Sequence, residues 1–388
     1  MMFTPQIIFT LSGVIIVLIY VTWVARNNMA WINYVNRKIQ IPTGKSISVS
    51  VIVAARNEEL QIGNLLQSLL TQYYPPSKFQ VIISNDFSTD KTAEACIALQ
   101  HKFQQSGIQF ILINPLENQP SGKKAALERA IILATGELIL TTDADCIVSP
   151  DWIASFSAKF AISSAQMITG FVKLNNGENL FADLQAIDVL SLSGVGATSV
   201  IKNKPLMCNG ANLAFTKTAF VEAGGYSYGI NQPGGDDTYL MLKINQLFPG
   251  KVVFNEDPKS IVTTNPQPNF KHFVKQRIRW ASKVKYYNES YVKAIGLLIF
   301  AVNLVLILVA LFALIGWLNW IVALTLWILK ATADALFLFH LATFTSQHRL
   351  LFVFLPAQIL YPFYSLAGTF IAMKKMDYEW KNRNYKGQ

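Results

Sequence analysis

Asp143-Ala144-Asp145 follows directly on the apolar run Leu138-Ile139-Leu140-Thr141-Thr142. Two carboxylates one residue apart at a strand end can hold a hard divalent cation, and all-oxygen ligands favour magnesium or manganese over softer metals. Such a cation binds phosphate oxygens in turn; the competing reading is a turn that contains two acids. A second acidic pair, Asp236-Asp237, follows Gln232-Pro233-Gly234-Gly235 and precedes the apolar run Tyr239–Leu242. Acids at a helix start are ordinary caps, and the functional alternative makes one of them a general base.

Other stretches carry weaker chemistry. Ser121-Gly122-Lys123-Lys124 opens a helix, where glycine and the Lys123 cation can meet a diphosphate, although the spacing of a Walker A loop is absent. Ala55, Arg56 and Glu58 lie just past an apolar run and would set small residues and backbone amides against a nucleotide; a plain strand-to-helix turn reads the same way. Asp86 offers a carboxylate to a base N–H, while Ser88, Thr89 and Asp90 after it read as a helix cap. Asn209 and Gly210 sit in a small polar stretch, Cys208-Asn209-Gly210-Ala211-Asn212, and are candidate substrate contacts. Gln276-Arg277-Ile278-Arg279-Trp280 also fits an interfacial amphipathic helix, with Arg and Trp as anchors.

The elements that must position these residues follow from the apolar pattern. Ser48–Ala55, Gln80–Ser84, Gln109–Ile113 and Glu137–Thr141 are nearly unbroken apolar runs, as strands buried on both faces require. Between them Glu58–Gln72, Lys91–Gln104 and Lys123–Thr135 place apolar residues at three-and-four spacing, which predicts helices. Alternation of this kind means an α/β, Rossmann-like parallel sheet, with ligands beyond the carboxyl ends of its strands.

The rest of the chain reads as membrane. Only 14% of its 388 residues are charged and 52% are hydrophobic, which argues against a purely soluble protein and against disorder. No charged side chain precedes Arg26, and Ile7–Ala25 is long enough to cross a core of about 30 Å, so residues 1–26 read as an anchor and not as a cleaved signal peptide. Three more apolar stretches, Ala294–Gly316, Leu318–Thr345 and Leu350–Met373, form a C-terminal transmembrane cluster over residues 294–373. Pro356 and Pro362 make the last of them the one expected to be broken, and Lys330 and Asp334 are expected to pair on an inward face.

The net charge of +10 is concentrated at the membrane ends: Arg26–Lys45, Lys271–Lys285 and the basic tail 374–388. That distribution follows the positive-inside rule and not the basic stripe of a nucleic-acid binder. It predicts a cytosolic domain over residues 46–285 in an integral membrane protein of the plasma (inner) membrane. Three cysteines, Cys96, Cys146 and Cys208, suit a reducing compartment.

In this order the motifs resemble the family 2 glycosyltransferases, inverting enzymes of GT-A fold that include cellulose, hyaluronan and poly-N-acetylglucosamine synthases and ceramide glucosyltransferase. The resemblance runs from about Val49 to Trp280 and rests on the D-x-D string, the Gly-Gly-Asp-Asp string and Q-x-x-R-W. It implies a nucleotide-sugar donor, a UDP-sugar favoured, and a lipid or growing glycan as acceptor. Asp86 would then bind the base, Asp143 and Asp145 the sugar nucleotide and its magnesium or manganese, and Asp237 would be the general base beside Asp236. Gln276, Arg279 and Trp280 would line the acceptor and diphosphate site. Asn85 departs from the usual D-D-x-S pattern, and Asp236 stands where Glu is common. Processive polysaccharide synthesis is the leading expectation, single transfer to a lipid the second, and a catalytically silent scaffold or nucleotide-sensing subunit the third.

Overall fold

The computed structural model describes residues 5–37, 46–175, 177–226, 236–281, 289–373, 378–380 and 383–385. Gly234 and Gly235, the stretch 282–288 and most of the basic tail lie outside them. The chain divides into two compact units: Tyr34–Asn175 with Leu192–Pro266, and Met1–Asn33 with Asn176–Ser191 and Gln267–Gln388. After the long helix α1 (Pro5–Val35), strands β1 (Val49–Ala55), β2 (Phe79–Asn85), β3 (Gln109–Ile113) and β4 (Leu138–Thr141) alternate with helices α2 (Ile62–Leu70), α3 (Thr92–Gln105) and α4 (Lys123–Leu133).

Consecutive residues Val51, Ile52 and Val53 of β1 are all fully buried, so both faces of the strand are covered. One face packs with Leu65 and Leu66 of α2, Cys96 and Phe103 of α3, and Trp152 and Phe156 of α5 (Trp152–Ser163). Removing this much apolar surface from water is the main stabilising term, at about 25 cal/mol per Å². Helix α2 starts later than its periodicity predicts. The Glu58 amide donates to Thr92 Oγ1 and the Glu59 amide to Asp90 Oδ2, so these residues serve the loop after β2 and the helix begins only at Ile62.

The sheet has seven strands in the order β3-β2-β1-β4-β7-β5-β8, completed by β5 (Met167–Thr169), β7 (Leu213–Thr216) and β8 (Val252–Phe254). It is mixed, not wholly parallel as the alternation suggests, because β7 runs antiparallel to both β4 and β5. The strand order reverses between β1 and β4, and the crevice beyond their carboxyl ends is where such sheets bind ligands. Thr141 at the end of β4 pairs with Leu213 at the start of β7, which sets the loop before β7 beside the residues that follow β4. A small parallel sheet of β6 (Val172–Leu174) and β9 (Val262–Thr264) completes this unit.

Asn212 anchors that loop. It is fully buried, accepts from Trp152 Nε1 at 3.0 Å and donates to the carbonyls of Phe171 and Ser260, both at 2.8 Å. An added Cβ at Gly170 would lie 2.3 Å from the Asn212 amide, so a side chain there is excluded.

The second unit is helical. Helices α1, α6 (Leu180–Ile201), α10 (Ser290–Leu314) and α11 (Trp320–Thr345), and the segment His348–Thr369 running into α12 (Phe354–Met373), are each long and apolar enough to span a membrane. Helix α6 adds a fifth such element to the four apolar stretches read from sequence. Its apolar window is 61% buried within the protein, against 22–39% for the others, so protein packing already accounts for its composition.

Helix α12 continues through Pro362, where a break was expected, as proline in apolar helices often does. Lys330 pairs with Asp334 at 2.7 Å as anticipated, and the pair is enclosed by Gln358, which accepts from Lys330 at 2.6 Å and donates to Asp334 at 3.1 Å. Tyr20 of α1 donates to the other Asp334 oxygen at 2.9 Å.

Replacing Asn212 with alanine removes three buried hydrogen bonds and strands the Trp152 indole N–H and the Ser260 carbonyl, while the Phe171 carbonyl keeps its bond from the Val262 amide. We expect Asn212→Ala to cost about 2–4 kcal/mol, read as a lower thermal midpoint of the purified protein. An unchanged midpoint would show that the loop does not depend on this side chain.

Candidate active site

The loops beyond β1, β2 and β4 are tied to one another by polar contacts. Arg56 Nη1 donates to the carbonyls of Asp86 and Phe87 at 2.7 and 2.8 Å, and the Asp86 amide donates to the carbonyl of buried Ala55 at 2.8 Å. Arg56 therefore braces the loop after β2. Asn85 accepts from the Ser88 amide and donates to Asn114, so asparagine at this position builds the turn. Burial pulls Asp90 upward, but hydrogen bonds from Thr92 and neighbouring amides outweigh it and hold its carboxyl below the usual range. Of the cap expected from Ser88, Thr89 and Asp90, only Asp90 serves the start of α3, by accepting from the Thr92 amide; Ser88 Oγ accepts from the Asn57 amide and the Thr89 amide donates to Asn57 Oδ1, so these two tie the loop to the one after β1.

Asp86 is 1% exposed, and its Oδ1 accepts from the Gly122 amide at 2.8 Å. Gly122 has φ +110°, a backbone shape that side chains rarely adopt, and it turns the chain into α4. Lys123, the first residue of α4, reaches Asp143 at 2.5 Å, with both side chains about one-third exposed. The D-x-D string, the lysine and Asp86 thus belong to one connected set of loops at the strand ends.

Asp143 and Asp145 stand in the turn after β4, where the Cys146 amide closes onto the Asp143 carbonyl. Burial and the two neighbouring carboxylates push the Cys146 thiol well up, which keeps it neutral and leaves the carboxylates as the candidate ligand groups. Among the described residues no cluster of three His, Cys, Asp or Glu forms a closed metal cage. Two carboxylates instead fit an ion that draws its remaining oxygens from phosphate and water, as magnesium and manganese do.

Asp237 lies in the first turn of α8 (Asp236–Leu247). Its Oδ2 accepts from the Gly210 amide and its Oδ1 from the Thr238 amide, both at 2.8 Å. Thr141 Oγ1 donates to the Gly210 carbonyl at 3.0 Å, so both polar groups of Gly210 are engaged, one toward β4 and one toward Asp237. A Cβ added at Gly210 would approach Asp237 Oδ2 at 3.3 Å. Asn209 shapes the same loop by accepting from the Ala211 amide at 3.1 Å. The side chain of Asp236 lies outside the described residues.

Gln276, Arg279 and Trp280 belong to the helical unit, on α9 (Phe270–Ala281), and all three are half-buried. The residue between them matters as much. Arg277 is 8% exposed, pairs with Asp188 of α6 at 2.5 Å, and stacks over the rings of Trp280 and Phe273 at 4.3 and 4.8 Å. Sequence reading passed over Arg277, Asp188 and Thr141. The available signals were Arg277 four residues after Phe273, and a lone acid, Asp188, inside an apolar helix.

Comparison with known proteins identifies the family. The chain matches the profile described as Glycosyl transferase family 2 over residues 50–222, and that described as Glycosyl transferase family group 2 over residues 138–367. It is 23% identical over 249 residues to "Probable glycosyltransferase YdaM" of Bacillus subtilis (strain 168), covering 61% of this chain and 55% of that one. It is 33% identical over 105 residues to the beta-monoglucosyldiacylglycerol synthase of Nostoc sp. (strain PCC 7120 / SAG 25.82 / UTEX 2576), covering 27% of this chain and 22% of that one. The chain thus spans about half the length of the first relative and less of the second.

A solved structure, mannosyltransferase PcManGT from Pyrobaculum calidifontis in complex with GDP-Man and Mn2+, superposes with a TM-score of 0.58 at 20% identity, over 92% of this chain and 98% of that one. That likeness shows the GT-A fold. With one family profile covering more than half of its length, the chain belongs to the family 2 glycosyltransferases.

Proposed function

We propose that this glycosyltransferase is an inverting, metal-dependent enzyme that moves one sugar from a nucleotide-sugar donor to a hydroxyl of a membrane lipid. Sugar transfer from a nucleotide sugar follows from the family. The observation that carries the choice of acceptor is the closed network inside the helical unit. Lys330, Asp334, Gln358 and Tyr20 satisfy one another within the protein, whereas a helical path for a growing polymer would turn such groups toward the polymer. The match to a synthase of glucosyldiacylglycerol supports the same reading. Processive synthesis, the leading expectation from sequence, is the second reading, and product length separates the two.

The chemistry is a single displacement. The acceptor oxygen forms a bond to the anomeric carbon, the bond from that carbon to the diphosphate breaks, and the acceptor proton passes to a base. Asp237 is the base in this reading: two backbone amides hold its carboxylate in place, and its connection through Gly210 and Thr141 to the end of β4 fixes it relative to the D-x-D turn. Asp143 and Asp145 would hold magnesium or manganese, which when bound supplies positive charge to the departing diphosphate. Lys123 adds a second cation to the same phosphates, Asp86 accepts from the base, and Ala55, Arg56 and Glu58 shape the nucleotide loop. Gln276, Arg279 and Trp280 take the acceptor and leaving-group roles that the family resemblance implies.

The basic residues that follow the first apolar stretch, Arg26, Arg37, Lys38 and Lys45, put the domain 46–285 on the cytosolic side of the inner membrane in this proposal. Protease added outside sealed cells should leave that domain intact, and cleavage within it would reverse the orientation.

Asp237→Asn should lower transfer about 10²-fold or more while nucleoside diphosphate affinity stays within about twofold, the pattern of a group needed mainly in the transition state. Near-normal transfer would move the base elsewhere, with Asp236 the first candidate. Chelation should abolish transfer, and Asp145→Asn should weaken it about tenfold or more. Full activity after metal removal would overturn the assignment of Asp143 and Asp145.

A further inference from the structure

Arg277 is enclosed in an unusual way. Its side chain is 8% exposed, and among the described residues its buried Nε, Nη1 and Nη2 have no hydrogen-bond partner, although Asp188 Oδ2 lies 2.5 Å from Nη2 as an ion-pair partner. Three aromatic rings surround it: Trp280 at 4.3 Å, Phe273 at 4.8 Å and Tyr364 of α12 at 6.0 Å. Phe273 and Tyr364 also touch each other, with centroids 5.6 Å apart. One carboxylate and three rings therefore enclose the guanidinium.

Taking both charges out of water is costly, and an apolar pair of similar volume is often as stable. Stability alone is thus a weak reason for the pair. Geometry is a stronger one. The guanidinium carbon sits over the Trp280 ring at 4.3 Å, and Asp188 holds that group from a different helix. An ammonium would keep the charge but offer no plane to stack on.

We propose that Asp188 and Arg277 act as a positioning pair that orients the Trp280 ring, and through it the acceptor side of the site. The second half of the statement rests on the reading of Trp280 as an acceptor residue. Neither Asp188 nor Arg277 touches the reacting atoms in this account; both act through Trp280.

The test uses the full-length protein in detergent micelles, labelled with 5-fluorotryptophan and observed by fluorine NMR, with the Trp280 signal assigned from Trp280→Phe. The wild type should give one sharp Trp280 signal. Asp188→Asn alone leaves a buried unpaired cation and is prone to misfold, so the informative variant is Arg277→Met with Asp188→Leu, which removes both charges and keeps the volume. In that double variant the Trp280 signal should lose its single sharp form while the other tryptophan signals and UDP or GDP binding stay as in wild type. Arg277→Lys should disturb the same signal alone.

An unchanged Trp280 signal in the double variant would overturn the proposal, as would a change spread over all tryptophans. Titration with dioleoylglycerol in mixed micelles addresses the reading beneath it. A Trp280 signal that responds to the double variant but not to the lipid would uphold the positioning pair and overturn the lipid-acceptor role.

Discussion

The backbone of Gly210 joins the two acidic segments of the proposed site in the α/β unit. Its carbonyl accepts from Thr141 at the end of β4, and its amide donates to Asp237 at the start of α8. The turn that carries Asp143 and Asp145 begins two residues after Thr141, so the backbone of one residue links the acids proposed to hold the donor's charge to the acid proposed to take the acceptor's proton. Proton transfer and displacement at one carbon are sensitive to errors below an ångström. The antiparallel insertion of β7 is what brings this loop to the end of β4, and buried Asn212 keeps it there.

The helical unit follows a different rule. Its interior is apolar, so each charge inside it must meet a partner, and the described pairs Lys330–Asp334 and Arg277–Asp188 do so. The two differ in character. Lys330 and Asp334 are one helical turn apart and are further tied by Gln358 and Tyr20, which gives a closed hydrogen-bonded set. Arg277 and Asp188 come from separate helices and, among the described residues, leave the guanidinium Nε and Nη1 without acceptors and with ring faces beside them. The first arrangement suits a structural plug and the second suits orientation of a neighbour.

Much of the α/β unit was legible because strands buried on both faces must read as unbroken apolar runs, and the observed β1 to β4 lie within a residue of the expected ones. The direction of β7 was not legible, since pairing with β4 is set by contacts distant in sequence. The late start of α2 was hidden for the same reason: the Glu58 and Glu59 amides are taken by Asp90 and Thr92 of another loop. At the site, Asp143, Asp145, Lys123 and Asp86 could be found from their positions after strands. Thr141 and Arg277 could not, because a threonine ending a strand and an arginine in a basic helix acquire meaning only from Gly210 and Asp188.

The measurement that bears most directly on the account is the kinetics of Gly210→Ala. The added methyl would press on Asp237, whose side-chain atoms are its three nearest neighbours. Turnover should fall about tenfold or more while affinity for the nucleoside diphosphate holds within about twofold, since only the base is displaced. Wild-type turnover in this variant, or a loss confined to nucleotide binding, would contradict the claim that Gly210 positions Asp237 and would return the glycine to a direct contact with substrate.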